Sequence, residues 1–249
     1  MQKQQWVLKT VPPQEQIDAL KEAINVSDSI ATMLIQRGIA DFESAKAFFN
    51  PSLDEIHDPM LMKDMDLALE RLLKATQSEE KIMIYGDYDV DGTTSVSMFY
   101  GFLSKYYEHL EYYIPDRYQE GYGVSIRGID YAAKQGITLI ISLDCGIKAG
   151  EKITYAKEKG IDFIVCDHHT VPATLPPAVA VLDPKRPDCA YPYKELTGCG
   201  VGFKFLQAFV RDTDIAESEL LEYLDFLAVS IACDIVPITG ENRVLAKFG

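Results

Sequence analysis

The sequence predicts an α/β protein, a doubly wound and mainly parallel five-stranded sheet carrying an amino-terminal helical extension. Three observations lead there. From Lys81 onward, short apolar runs alternate with longer helical ones. The short runs are apolar almost without interruption, as strands covered on both faces must be. Before about residue 75, apolar side chains recur at helical spacing instead.

Taken in order, Gln14–Ile24, Ser27–Arg37 and Phe42–Phe49 read as helices. Ser27 is placed to cap the second, Gly38 to stop it, and Pro51 to break the chain just past the third. A further helix is expected from about Asp66 to Ala75. The strand candidates are 81–85 (KIMIY), 111–114 (EYYI), 138–143 (TLIISL), 162–166 (DFIVC) and 178–182 (AVAVL). Between them lie helical stretches at Thr93–Tyr107, Ile126–Lys134 and Ala149–Lys159. A polar loop follows Pro184, then helices near Val201–Val210 and Ser218–Ala232. The domain reading is a helical region over 1–75, a catalytic domain over 76–240, and the start of a linking helix over 241–249.

A chain of 249 residues is long enough for one large α/β domain and a smaller appendage. No apolar run reaches the ~18 residues of a membrane span. The start, MQKQQWVLKTVPPQEQ, lacks the apolar core of a secretion signal, so a cytoplasmic protein is expected. Five scattered cysteines without a C-x-x-C pair read as reduced, mostly buried thiols rather than a zinc site or disulfide framework. The net charge of −14 speaks against a nucleic-acid partner, because phosphate binding is driven largely by Lys and Arg. Carboxylates that hold cations reverse that local sign.

Ligands of such sheets bind outside the carboxyl ends of the strands, and every strand candidate leads into an aspartate there. The first leads into Gly86-Asp87-Tyr88-Asp89-Val90-Asp91-Gly92, the others to Asp116, Asp144, Asp167 and Asp183. In an extended segment Asp87, Asp89 and Asp91 share one face. Three such neighbours repel unless a cation sits among them. Turn and cap chemistry accounts for Asp116 and Asp183, but not for three acids in one run.

Asp167-His168-His169 holds two of the chain's four histidines. Adjacent rings do not easily reach one ion, so a division of duties is expected: one imidazole ligates, the other touches substrate or moves a proton. Asp234 ends an apolar helical run, where the helix dipole disfavours an acid unless a cation compensates it. Mostly oxygen donors with one or two nitrogens suit Mn2+ or Mg2+ better than zinc, as a pair of ions for in-line attack on phosphorus. No G-x-S-x-G and no Cys–His pair offers a competing nucleophile, and no G-x-G-x-x-G follows the first strand.

Asp87–Gly92 (DYDVDG), Asp144-Cys145-Gly146 and Asp167-His168-His169 resemble successive motifs of the DHH phosphoesterase superfamily. Further segments resemble one family within it, the RecJ single-strand-specific DNA exonucleases. These are Arg117 with Glu120–Gly123, Asp183–Pro187, Leu196–Gly202, Asp234 in CDIVP, and Gly240–Arg243. RGI at 37–39 and NPSL at 50–53 resemble that family's amino terminus, so the likeness covers nearly the whole chain.

The resemblance implies metal coordination by Asp89, Asp91, Asp144, His168 and Asp234. It makes Asp87 a ligand or supporting acid, His169 a catalytic group at the scissile phosphate, and Asp167 the residue that orients the histidines. No ligand position is lost, which speaks against an inactive scaffold. The implied reaction is 5′ to 3′ degradation of single-stranded DNA in recombination and repair, by a monomer, with a helicase or single-strand-binding protein as a further partner. Arg117, Lys148, Lys185 and Arg186 follow strands on the acid-bearing edge, as phosphate-binding side chains would. Gly200 and Gly202 lie in a glycine cluster before a helix, whose amides suit an anion. Family members continue into a second domain, so much of the DNA path is expected outside this chain. The alternatives are a DHH enzyme acting on short oligonucleotides, cyclic dinucleotides or pyrophosphate, and a non-catalytic DNA-binding fragment.

Overall fold

The structure, a computed structural model, describes residues 5–249. It divides into two compact units, one ending at Glu55 and one spanning Ile56–Gly249. In the first, α1 (Gln14–Ile24), α2 (Asp28–Ile35) and α3 (Phe42–Phe49) enclose Ile17, Leu20, Ala31, Leu34, Ile39 and Ala45. Ser27 caps α2 by accepting from the Ile30 amide, and Asp41 forms a capping box with Ser44 at the start of α3.

The second unit is built on β1 (Ile82–Gly86), β2 (Leu110–Tyr113), β3 (Leu139–Leu143), β4 (Asp162–Cys166) and β5 (Ala180–Leu182). All four pairings are parallel and the order is β2-β1-β3-β4-β5. Alternation along each strand divides the core. Met83, Tyr85, Ile140, Phe163 and Val165 face α6 (Ile126–Gln135) and α7 (Gly150–Glu158) through Ile129, Ala132, Ile153 and Ala156. The opposite face packs α4 (Met65–Gln77), α5 (Val90–Leu103) and α8 (Gly198–Arg211). The five expected strands are therefore present, within two residues at either end.

Two helical expectations change. Ser218–Ala232 is not one helix but α9 (Glu217–Leu221) and α10 (Leu224–Cys233). Helix α4 packs on α8 and β5, so the division between units falls at residue 55 rather than 75. Its Arg71 is buried and bonded to Glu80 and Asp162, which fastens it to the sheet's amino edge. Helix α11 (Gly240–Phe248) packs against α10. All five cysteines are free thiols and four are buried. Among the described residues no helix is long and apolar enough to cross a membrane.

The chain leaves β1 for β2 on one side and later returns to β3 on the other. The crevice beyond the carboxyl ends of β1 and β3 is thus the topological switch point, where open α/β sheets bind ligands.

Candidate metal centre

Beyond β1 the extended backbone ends sooner than the acid spacing suggests. Asp89 caps α5, its carboxylate accepting from the Gly92 amide at 2.9 Å, so Asp91 already lies in the helix. The three acids therefore do not share a face. Asp87 is buried and turns to the amides of Tyr88 (2.6 Å) and Gly123 (2.8 Å). The Gly123 loop is held for this by Glu120, which accepts from the Tyr113 hydroxyl, the Ser125 hydroxyl and the Asp116 amide. Burial pushes the Asp87 carboxyl up to about 6, helped by the charge of Asp89. The turn needs Gly92, because a Cβ there would lie 2.5 Å from the Asp87 carbonyl oxygen.

Asp91 points instead at the start of α8. Its Oδ2 accepts from the Gly198 amide (2.7 Å), and its Oδ1 from the Cys199 amide (2.9 Å) and the Ser230 hydroxyl (2.7 Å). The glycine cluster does bind an anion, but that anion is the protein's own carboxylate. Gly200 donates to Thr197 Oγ1 and Gly202 packs on Leu143, so neither is placed to hold a substrate phosphate. Gly198 lies so close to Asp144 that a Cβ would sit 2.5 Å from the Asp144 Cβ.

Asp144 follows β3 in the left-handed region (φ 60°), a conformation aspartate tolerates better than most residues. It is 1 % exposed and its Oδ2 finds no hydrogen-bond partner among the described residues. Burial, then the charges of Asp91, Asp89 and Asp167, push its carboxyl up to about 12.

Beyond β4, Asp167 is buried and its Oδ1 accepts from the amides of His168 and His169 and from His169 Nδ1 (2.7 Å). Its Oδ2 accepts from the Ile147 amide (2.9 Å). Burial opposes its ionisation, but the His169 hydrogen bond and charge and these amides outweigh that and hold its carboxyl below the usual range. The same bond raises His169, against burial and the nearby charge of Lys148. It also fixes the proton on Nδ1 and turns Nε2 outward, 3.5 Å from the Tyr122 hydroxyl.

His168 has the opposite character. It is 6 % exposed, and neither ring nitrogen has a hydrogen-bond partner among the described residues. Its Nε2 faces Asp144 Oδ1 at 3.2 Å, Asp91 Oδ2 at 3.6 Å and Asp234 Oδ2 at 3.6 Å. Asp234 caps the end of α10, where burial and the charges of Asp91 and Asp89 raise its carboxyl against the opposing pull of His168. Asp91–His168–Asp234 and Asp144–His168–His169 each gather donor atoms within 4.8 Å of one another. Oxygens of like sign, two buried and that of Asp234 exposed, around an unbonded imidazole nitrogen are the donor set of a hard divalent cation.

Around this cluster the basic residues separate. Arg117 lies over the Tyr88 ring (4.5 Å), and Tyr88 meets Tyr122 edge-on, which leads on to His169. Lys148 is exposed in a cleft of about 910 Å3 whose lining includes Tyr122, Ile147, Leu175, Asp167 and His169. Lys185 is half-buried, 3.9 Å from Glu195. Arg186 is not available to a phosphate. It is 5 % exposed and its guanidinium bonds Asp64, Asp188 and the Val181 carbonyl. Asp116 and Asp183 accept from amides of their own turns.

Sequence reasoning missed Ser230 and Thr197, since nothing in an apolar helix or a polar loop marks a hydroxyl as facing a distant acid. The Gly123 amide was missed for the same reason.

The description "DHH family, N-terminal domain" matches residues 81–231. Over 247 residues the chain is 38% identical to the single-stranded-DNA-specific exonuclease RecJ of Bacillus subtilis (strain 168), covering 99% of this chain and 30% of that one. The enzyme of the same name from Thermus thermophilus is 30% identical over 244 residues, covering 98% and 34%. The crystal structure of RecJ in complex with Mn2+ from Thermus thermophilus matches with a TM-score of 0.79 at 28% identity, covering 97% of this chain and 34% of that one. A crystal structure of exonuclease RecJ bound to manganese matches with a TM-score of 0.70 at 32% identity, covering 80% and 49%. The chain spans about a third of the length of these two curated relatives.

Proposed function

The chain belongs to the DHH family, and on that premise we propose that it is the catalytic core of a metal-dependent exonuclease. Its substrate is single-stranded DNA, degraded from the 5′ end in recombination and repair. The observation that supports this best is His168, buried with both ring nitrogens unbonded among the described residues and Nε2 facing three carboxylates.

Asp91, Asp144, His168 and Asp234 hold the metal, with Asp89 close enough to Asp144 to raise its carboxyl. Two ions are proposed, with His169 kept out of their ligand set. Bound Mn2+ or Mg2+ would supply positive charge to the phosphate oxygens and make a bound water more acidic than bulk water.

The remaining residues act on the substrate directly. His169, whose bond to Asp167 favours its protonated form and whose ring opens to the cleft, donates from Nε2 to a phosphate or leaving oxygen. Asp167 keeps its tautomer and orientation fixed. Arg117 and Lys148 flank the site as phosphate contacts, with Lys185 farther out, and Tyr122 offers a ring beside His169 on which a base can stack. Local cations beside an acid cluster whose charge bound metal would offset answer the objection raised by the net charge. A monomer in the cytoplasm, working behind a helicase or single-strand-binding protein, completes the proposal.

The test is Mn2+-dependent release of nucleotides from single-stranded DNA labelled at one end. The 5′ label should be freed first, and Asp91→Ala should abolish release. Equal loss of 5′ and 3′ labels, or an active Asp91→Ala, overturns the reading. Preferential cleavage of dinucleotides or cyclic dinucleotides would move the substrate to the short-oligonucleotide alternative.

A further inference from the structure

Ser230 is fully buried on α10, and its hydroxyl lies 2.7 Å from Asp91 Oδ1 and 2.7 Å from Thr197 Oγ1. A hydroxyl has one proton and a carboxylate only accepts. The Ser230 proton therefore goes to Asp91, and Thr197 donates its own proton to Ser230. Thr197 Oγ1 in turn accepts from the Gly200 amide at 3.0 Å. The result is a one-way chain from the start of α8, through α10, to an acid on α5.

That chain has two consequences. With Ser230 and the Cys199 amide on Oδ1, and the Gly198 amide on Oδ2, the carboxylate cannot rotate. Oδ2 is the oxygen left facing His168 Nε2. Secondly, Ser230 lies one helical turn before Asp234, whose amide bonds the Ser230 carbonyl at 2.9 Å, so the side-chain tie to Asp91 holds this end of α10 to α5. One residue thus sets the register of two acids that face the same imidazole from different helices.

We propose that Ser230 is a positioning residue of the metal centre, presenting a single oxygen of Asp91 to the ion and fixing Asp234 beside it. This rests on the metal-centre reading above. Supporting groups that orient a ligand typically change metal affinity by about 10- to 100-fold when removed.

The experiment is calorimetric titration of Mn2+ into the metal-free protein, alongside its thermal melt. Ser230→Ala should bind Mn2+ at least about 10-fold more weakly. Ser230→Cys keeps the volume but has a weak donor, and it should lose affinity in the same way; it also serves should the alanine variant not fold. Leu227→Val thins the packing of the same helix, where Leu227 is fully buried, and should keep wild-type affinity whatever it does to the melt. Wild-type affinity in both Ser230 variants overturns the proposal, as does an equal loss in Leu227→Val, which would make the role merely structural. A wild-type protein that takes up no Mn2+ overturns the metal-centre reading itself, and the proposal with it.

Discussion

After β1 the chain runs Asp87-Tyr88-Asp89-Val90-Asp91, and after β4 it runs Asp167-His168-His169. In the first turn each of the three acids accepts from at least one backbone amide: Asp87 from Tyr88 and Gly123, Asp89 from Gly92, Asp91 from Gly198 and Cys199. In the second turn Asp167 accepts from three amides and the His169 ring, while the His168 ring nitrogens have no hydrogen-bond partner among the described residues. Hydrogen bonds from the protein fix a group's orientation, and a buried ring left without partners is the one with something still to bind. The two histidines divide along that line, His169 bonded to Asp167 and His168 facing the acids.

The largest test of that division is to remove each ring separately. His168→Ala should abolish Mn2+ uptake and lower cleavage by roughly 10^3-fold or more, since a ligated metal supplies several kcal/mol to the transition state. His169→Ala should lower kcat by about 10^2- to 10^4-fold, as loss of a proton-transfer group does, while Mn2+ affinity falls far less. Calorimetry and single-turnover rates on the same preparations separate the two. If both variants lose the metal equally, His169 is a ligand and the division of duties fails.

Metal should also relieve the repulsion that the fold tolerates without it. At about 100 times its Kd, a ligand bound only by the native state stabilises by about 2.7 kcal/mol, or roughly 5–10 °C for a domain of this size. A melt with and without Mn2+ should show that rise in the wild type and none in His168→Ala. A rise of equal size in both would place the ion elsewhere.

Without metal, pH should act through groups of the same sign, Asp144 and Asp234 among them, because burial raises both. Burial raises Asp87 to about 6 and Asp183 to about 7, both above the unfolded value near ~3.9. Their contribution is complete below that unfolded value and is lost as pH rises through 6 and 7. His169 is also raised, so its contribution is present below about 6.5 and is lost as pH rises through its folded value. Metal-free protein should therefore lose stability steadily between pH 4 and about 8. Asp167 is lowered and works the other way, only in strong acid. Mn2+ should reverse the slope, because it binds the deprotonated ligands. Denaturant midpoints that are flat over this range without metal would contradict the burial argument.

The sheet was legible because its signal is local and repeated: apolar strands, a turn and an acid five times over. The acids of the centre were legible for the same reason, lying at strand ends where such folds bind ligands. What was not legible depends on contacts between distant segments. Asp91 meets amides 107 and 108 residues away and a hydroxyl 139 residues away, and no spacing rule reaches that far. Arg186 shows the converse error. Its position after β5 on the acid edge suggested a phosphate contact, but Asp64 and Asp188 are close enough to take the whole guanidinium, and sequence does not reveal which cations the fold has already paired.

That error defines the smallest prediction, which compares two lysines on the same edge. Lys148 is exposed in the cleft beside His169, while Lys185 is half-buried near Glu195. An exposed phosphate contact contributes mainly Coulomb attraction screened by salt. Lys148→Ala should raise KM for single-stranded DNA a few-fold, leave kcat nearly unchanged, and lower the slope of log affinity against log salt by about one contact. Lys185→Ala should do less, because Glu195 already draws on its charge. Steady-state kinetics at several salt concentrations read both effects together. If Lys185→Ala has the larger effect, the DNA path runs past β5, and the cleft beside His169 is not its floor.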